Sequence, residues 1–224
     1  MVKISAFIPV FNEESRIKYA LTSLKWCDEV VVLDKSSTDN TVNIAKEFGA
    51  KVIVVENSKN YSASEFDYIR GLEGDWVIFF TASDLMDVSL SKEIRKVVET
   101  LPKDVTVIKL PFHQEVLGIN DKRSPWGTAK WRDMIRKDSI KINYNGVHGA
   151  LSVTKERDYF INPKCGFMSH LTHVSVDMML ERHIRYWRTE GKCYEETSLW
   201  PAFRHFLRSI KDIIKFRTLL MGWD

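Results

Sequence analysis

The sequence predicts an α/β fold built on one mostly parallel sheet, and three observations point there. Compact apolar runs rich in β-branched residues recur through the first half of the 224-residue chain. Helical patterns separate them. Several of the runs end in polar clusters, and the carboxyl edge of a parallel sheet is where such clusters gather to hold a ligand.

The first run, Lys3 to Val10, is followed by Ile17, Ala20, Leu21 and Leu24 at helical spacing. Glu29 to Leu33 is the second strand. The next helix starts near Thr38 or Asp39 and ends at Gly49, a residue suited to the left-handed cap. Lys51 to Val55, Asp75 to Phe80 and Val105 to Leu110 complete the strands, with helices over roughly 64–72 and 90–100 between them. Strands that alternate with helices imply parallel pairing through right-handed crossovers.

After Pro111 the pattern changes. A polar loop carrying Asn120 to Arg123 and Trp126 precedes short strand candidates near 130–136, 140–145 and 150–154, which read as an antiparallel addition. Helical patterns follow over about 176–189 and 202–220. The expected division is a nucleotide-binding and catalytic domain over 1–174 and a helical extension over 175–224.

Composition narrows the function classes. The chain is 44% hydrophobic and 28% charged, with a formal net charge of only +3. That total does not suggest a nucleic-acid binder. Cys27, Cys165 and Cys193 form no Cys-x-x-Cys pair, which points to neither a disulfide framework nor a thiolate zinc site and fits a reducing cytosol. The run from Ser5 to Phe11 is too short and too polar for a signal peptide, and no stretch reaches membrane-spanning length.

The chemistry sits in the strand-end clusters. The first strand ends in Pro9-Val10-Phe11-Asn12-Glu13-Glu14, the second in Asp34-Lys35-Ser36-Ser37-Thr38-Asp39, and the fourth in Thr81-Ala82-Ser83-Asp84. A carboxylate such as Asp34 accepts hydrogen bonds from a base N–H or ribose hydroxyls, and Ser36 to Asp39 can cap the next helix. A purely structural capping loop is the alternative for that segment.

Taken together, Phe7 to Glu14, Glu29 to Asp34 with Ser36 to Thr41, and Gly74 to Phe80 resemble family 2 glycosyltransferases of the GT-A fold. Lys130-Trp131-Arg132, Val147-His148-Gly149 and His173-Val174-Ser175 extend the resemblance toward the lipopolysaccharide-core and cell-surface polysaccharide branch. It implies a GT-A nucleotide-binding sheet with a small antiparallel addition and C-terminal helices. It also implies inverting transfer of a sugar from a nucleotide-sugar donor, UDP by default, to a glycan or lipid-linked acceptor. In that family Pro9, Phe11, Asn12, Glu13, Asp34, Ser36 and Ser83 would hold the nucleotide.

The sequence departs from the family where it matters for a metal. Thr81-Ala82-Ser83-Asp84 replaces Asp-x-Asp, leaving Asp84, helped by His173, as the expected ligand of Mg²⁺ or Mn²⁺. Lys35, Arg132 or Arg136 can alternatively neutralise the departing diphosphate. His148-Gly149 replaces His-Glu, and Glu65-Phe66 stands where relatives have Arg-Asn. The expected catalytic base is Asp84, Asp121 or Asp133. Trp126, Trp131, Arg132 and His148 are expected around the acceptor and diphosphate, with Trp126 as a sugar-stacking residue.

In the tail, Phe206, Leu207, Ile210, Ile213 and Ile214 fall at helical spacing, with Arg204, Arg208, Lys211, Lys215 and Arg217 mostly between them. Such a helix can lie in an anionic membrane interface or pack on protein. The expected setting is cytoplasmic, with peripheral membrane contact through residues 203–220. Two rival functions stay open at this stage: a degenerate, non-catalytic domain acting as a scaffold, and a nucleotidyltransferase.

Overall fold

The computed structural model describes residues 1–57, 63–116, 130–142, 151–154, 157–173, 175–177, 180, 181, 184, 207, 210 and 211. Among these, strands and helices alternate as the hydrophobic pattern requires: β1 (Ile4–Val10), α1 (Ile17–Ser23), β2 (Glu29–Asp34), α2 (Thr41–Glu47), β3 (Lys51–Val54), β4 (Trp76–Phe79), β5 (Asp84–Met86) and α3 (Val88–Val98). Then come β6 (Val105–Val116), β7 (Lys130–Arg136), β8 (Ile140–Ile142), β9 (Leu151–Val153), β10 (Arg157–Phe160) and β11 (Met168–His173).

The main sheet runs β3-β2-β1-β4-β7-β6-β11-β5, with β10 added alongside β6, while β8 and β9 form an antiparallel pair. β1 is parallel to both β2 and β4, and β2 to β3. β7 runs antiparallel to β4. The chain winds outward from β1 through β2 to β3 and then returns to place β4 on the other side of β1. That reversal is a topological switch point, and the crevice beyond the carboxyl ends of β1 and β4 is where such sheets bind ligands.

Successive strand residues face opposite sides of a sheet, and the core divides accordingly. One side carries Ile4, Ala6, Ile8, Trp76, Ile78 and Met134 against Ile17, Leu21, Leu24, Leu90 and Ile94 of the helices. The other carries Phe7, Val31, Leu33 and Val77 against Ile69 and Leu72. The edge opposite the switch point is tied by Ser5, whose hydroxyl donates to Glu29 at 2.5 Å and accepts the Gly74 amide at 2.8 Å. Gly74 allows that approach, since a Cβ there would lie 2.5 Å from the Ser5 nitrogen.

Several elements differ from the sequence expectation. The helix expected over roughly 64–72 takes the 3-10 form, Ala63–Gly71, and its Ile69 closes the second core cluster. β6 passes through Pro111 and continues to Val116, because proline's fixed φ suits extended backbone and the flanking Leu110 and Phe112 are buried. β5 is three residues long, too short for a period to show. β10 carries no clean alternation and was not expected either.

By contact the chain separates into two compact units, Met1–Phe112 with Trp131–Ser169, and His113–Lys130 with His170–Asp224. In the second, the Gln114 amide donates to the Thr172 hydroxyl at 3.1 Å, and Val176, Asp177, Leu180, Glu181, Ile184, Leu207, Ile210 and Lys211 are helical.

Candidate functional site

The ends of β1 and β2 meet first. Val10 and Asp34 are register partners, and the Lys35 amide donates to the Val10 carbonyl at 2.9 Å. Because strand backbone groups alternate in direction, Pro9 then faces the β4 side, where pairing has already stopped at Phe7. Its missing N–H removes no ladder bond there, and the sheet opens beyond it.

Both loops that follow turn through left-handed backbone, Asn12 at φ 53° and Ser36 at φ 58°. Asparagine tolerates that conformation; serine adopts it rarely, so the second turn carries strain that its contacts must hold. The Ser36 hydroxyl donates to the Val55 carbonyl at 2.8 Å. Between the loops, the Asn12 amide donates to the Ser37 hydroxyl at 2.9 Å, the Thr38 amide to the Asn12 side chain at 2.8 Å, and the Glu13 amide to the Thr41 hydroxyl at 2.7 Å. A continuous cross-loop network thus fixes the floor of the crevice.

Asp34 is sealed from solvent at 0% exposure. One carboxylate oxygen accepts the Ser37 amide at 2.9 Å. The other, Oδ1, is buried and has no hydrogen-bond partner among the described residues. A buried acceptor left in this state costs free energy unless a partner arrives. Phe11, 44% exposed, stands at the mouth of the same loops.

Glu13 is paired with Arg16. Its carboxylate makes paired hydrogen bonds to the Arg16 guanidinium at 2.7 and 2.8 Å, and its carbonyl accepts the Arg16 and Ile17 amides that begin α1. Those bonds commit its side chain to the start of the helix.

The third cluster follows β4. The Phe80 amide donates to Phe7 at 3.0 Å, and Thr81 to Asp84 then make a tight turn. The Thr81 amide donates to Asp84 Oδ2 at 2.7 Å, the Thr81 and Ser83 hydroxyls lie 3.1 Å apart, and Asp84 is 0% exposed. Asp84 Oδ1 faces the Arg132 guanidinium, with Nη2 at 3.8 Å. Ile78 pairs with Met134 across β4 and β7, so Arg132 lies level with the end of β4, beside the crevice.

Alternation along β7 separates the expected acceptor and diphosphate residues. Arg132 shares a side with Met134 and stacks on the Phe112 ring at 4.4 Å. Trp131 and Asp133 face the other way. Asp133 pairs with Lys109 at 2.6 Å, and Trp131, 43% exposed, meets Phe160 edge-on at 5.2 Å. Arg136 is occupied structurally, over Trp76 at 4.5 Å and donating to the Val105 carbonyl at 3.1 Å. Asp121, Trp126 and His148 lie outside the described residues, as does the side chain of His173, whose backbone ends β11.

Among the described residues, the donor set at Asp84 is poor for a divalent ion. Mg²⁺ takes about six oxygen ligands in near-octahedral array, several of them water or substrate phosphate, with one or two protein carboxylates among them. Of the two aspartates the family places here, the chain has the neutral hydroxyls of Thr81 and Ser83 instead. Asp84 Oδ2 accepts the Thr81 amide and Oδ1 lies 3.8 Å from the Arg132 guanidinium, so a cation there would compete with both contacts. Among the described residues no group of three His, Cys, Asp or Glu side chains converges. Sequence reasoning named Asp84 and Arg132 separately and missed their pairing, for which a single sequence carries no signal.

Comparison with known proteins agrees with this architecture. Residues 5–159 match the family described as Glycosyl transferase family 2. Among curated relatives, an uncharacterized glycosyltransferase of Rickettsia typhi is 39% identical over 110 residues, covering 46% of this chain and 36% of its own. The SPbeta prophage-derived glycosyltransferase SunS of Bacillus subtilis is 30% identical over 151 residues, covering 63% of this chain and 36% of its own. The chain thus spans about a third of the length of the curated relatives it matches.

Two solved structures share the fold. S. aureus TarS, residues 1–349, superposes with a TM-score of 0.55 at 17% identity, covering 75% of this chain and 60% of that one. Glucosyl-3-phosphoglycerate synthase from Mycobacterium tuberculosis, solved with Mn²⁺, uridine-diphosphate-glucose and phosphoglyceric acid, gives 0.51 at 17% identity, covering 80% and 74%.

Proposed function

Because the chain belongs to glycosyl transferase family 2, we propose that it moves a sugar from a nucleoside-diphosphate sugar to a glycan or lipid-linked acceptor of the cell surface, with inversion at the anomeric carbon. UDP is the donor nucleotide this reading favours: TarS has been solved with UDP-GlcNAc and the mycobacterial synthase with uridine-diphosphate-glucose. The observation that carries the reading is the crevice beyond β1 and β2. It combines an exposed Phe11, a cross-loop network and a buried Asp34 whose Oδ1 lacks a partner among the described residues.

In this mechanism Asp34 accepts a hydrogen bond from the nucleoside, and the loop at Asn12 and Ser36 fixes its position. The acceptor hydroxyl attacks the anomeric carbon from the side opposite the diphosphate. The bond from that carbon to the phosphate oxygen breaks, and its electron pair leaves on the diphosphate. The hydroxyl proton passes to a carboxylate, a role we assign to Asp121, since Asp133 faces away from Arg132 and is paired with Lys109. Asp121→Asn is expected to lower turnover with donor binding retained.

Residues 203–220 are proposed as a peripheral contact with the cytoplasmic face of a membrane. Leu207 and Ile210 are helical and exposed, with Lys211 beside them. Among the described residues no helix is long and apolar enough to cross a bilayer.

Calorimetric titration of UDP, GDP and dTDP into the protein and into Asp34→Ala tests the central claim. Binding of one nucleotide, lost in the variant, supports it. A wild-type protein that binds none of the three would end the transferase reading in favour of a scaffold.

A further inference from the structure

We infer that the charge of the leaving diphosphate is offset here by the Arg132 guanidinium, held in place by Asp84 and Phe112, rather than by a divalent cation held on aspartates. The inference rests on the transferase reading above. Cleavage of the bond between the anomeric carbon and phosphate leaves one further negative charge on the diphosphate, and any well-placed cation at that point stabilises the transition state.

The local chemistry selects Arg132 for this. Its side chain is 34% exposed while its partner Asp84 is 0% exposed. The ion pair is therefore one-sided: the carboxylate is buried, and the arginine side chain is partly open to solvent. At 3.8 Å the contact is a loose charge pair, so the planar donors of Arg132 retain capacity for a second anion. Stacking on Phe112 at 4.4 Å fixes the plane of the group. Guanidinium presents a fork that matches phosphate oxygens in pairs, which suits a diphosphate better than a single ammonium would.

Position agrees with chemistry. Thr81 to Asp84 leave β4 where the switch-point crevice opens, and the β4–β7 register sets Arg132 level with that point. The residues that carry carboxylates in the family here carry the hydroxyls of Thr81 and Ser83, 3.1 Å apart. An arginine and an aspartate thus occupy the place where two aspartates and an ion are expected. Asp84 is on this account a positioning residue, acting through Arg132.

The test compares UMP and UDP binding by calorimetry, each with 5 equivalents or so of MnCl₂ and each with EDTA, on a scale where about 1.4 kcal/mol is tenfold. Wild type, Arg132→Gln, Arg132→Lys and Asp84→Asn are measured. The ratio of the two affinities isolates the second phosphate and cancels any general loss of folding, which UMP binding reports.

The expected result is a UDP preference unchanged by Mn²⁺ or EDTA, reduced about tenfold or more in Arg132→Gln. Arg132→Lys should retain part of it, and Asp84→Asn should reduce it with UMP binding intact. A preference that needs Mn²⁺, disappears in Asp84→Asn and survives Arg132→Gln would overturn this inference while leaving the transferase reading standing. Failure of wild type to bind either nucleotide, or GDP and dTDP in their place, would overturn both.

Discussion

The side-chain oxygen of Asn12 accepts the backbone amide of Thr38 at 2.8 Å, joining two loops 26 residues apart in sequence. Asn12 also stands at φ 53°, so the side chain and the backbone shape make separable contributions. Asn12→Gly removes the hydrogen bond but suits the backbone; Asn12→Ala removes it and adds strain. We expect both to weaken nucleotide binding, with the alanine variant melting lower by an amount set by about 1 kcal/mol of left-handed strain. Equal melting temperatures for the two would show that the positive φ carries no cost.

Asp34→Asn keeps an acceptor for the Ser37 amide while removing the charge of the buried carboxylate. A hydrogen bond to a charged group contributes about 1.5–3 kcal/mol, so nucleotide affinity should fall about 10- to 100-fold with little change in stability. Calorimetry beside a thermal melt reads both. Undiminished affinity would remove Asp34 from the binding site.

Gly74→Ala tests the opposite edge of the sheet. The new Cβ would lie 2.5 Å from the Ser5 nitrogen, 2.6 Å from its hydroxyl and 2.9 Å from the Trp76 carbonyl, contacts that backbone cannot relieve cheaply. A destabilisation of about 1–3 kcal/mol is expected from such overpacking, read by chemical denaturation. A variant as stable as wild type would show that the edge is free to shift.

Cys27 should resist alkylation. Burial is the chief cause that pushes its thiol up to about 12; Arg95 pulls the other way and Asp28 adds to the rise. Little thiolate exists at pH 8, and reactivity follows the thiolate. Iodoacetamide in native buffer should leave Cys27 unmodified by peptide mass mapping, and denaturant should expose it. Rapid native labelling would contradict the raised thiol pKa.

Acid should destabilise the fold through Asp28 and Asp39. Burial by itself would raise both pKa values, but hydrogen bonds outweigh it: the Ile4 amide and Arg95 hold Asp28 below its ordinary 3.8, and Thr41 with the Glu14 amide hold Asp39 below the same value. A lowered folded pKa gives stability that is present above 3.8 and is lost as pH falls through the folded values. Denaturation midpoints should therefore drop below about pH 4. Asp28→Asn should flatten that dependence, and an unchanged slope in this variant would assign it elsewhere.

Much of the architecture was legible in the residues. β1, β2 and β4 were readable because Ala6 to Val10, Val30 to Leu33 and Trp76 to Phe79 are continuous apolar runs, the mark of strands buried on both sides. Gly49 marked the end of α2 and sits at φ 80°. β5 and β10 were not readable, since three or four residues carry no period. The helix expected over roughly 64–72 is present as a 3-10 helix, Ala63–Gly71, a type that its apolar spacing does not distinguish.

Local sequence thus determined which segments are strands, where they end, and which polar clusters leave their carboxyl ends, because periodicity and turn chemistry act over neighbouring residues. Tertiary structure alone decided what those clusters do. The register of β7 against β4 set Arg132 beside Asp84 and turned Asp133 to the other side of the sheet, toward Lys109. The left-handed turns at Asn12 and Ser36 closed one loop on another. Each is a contact between residues distant along the chain, set by strand pairing and side-chain alternation, and a single sequence does not encode such a pairing in any local pattern.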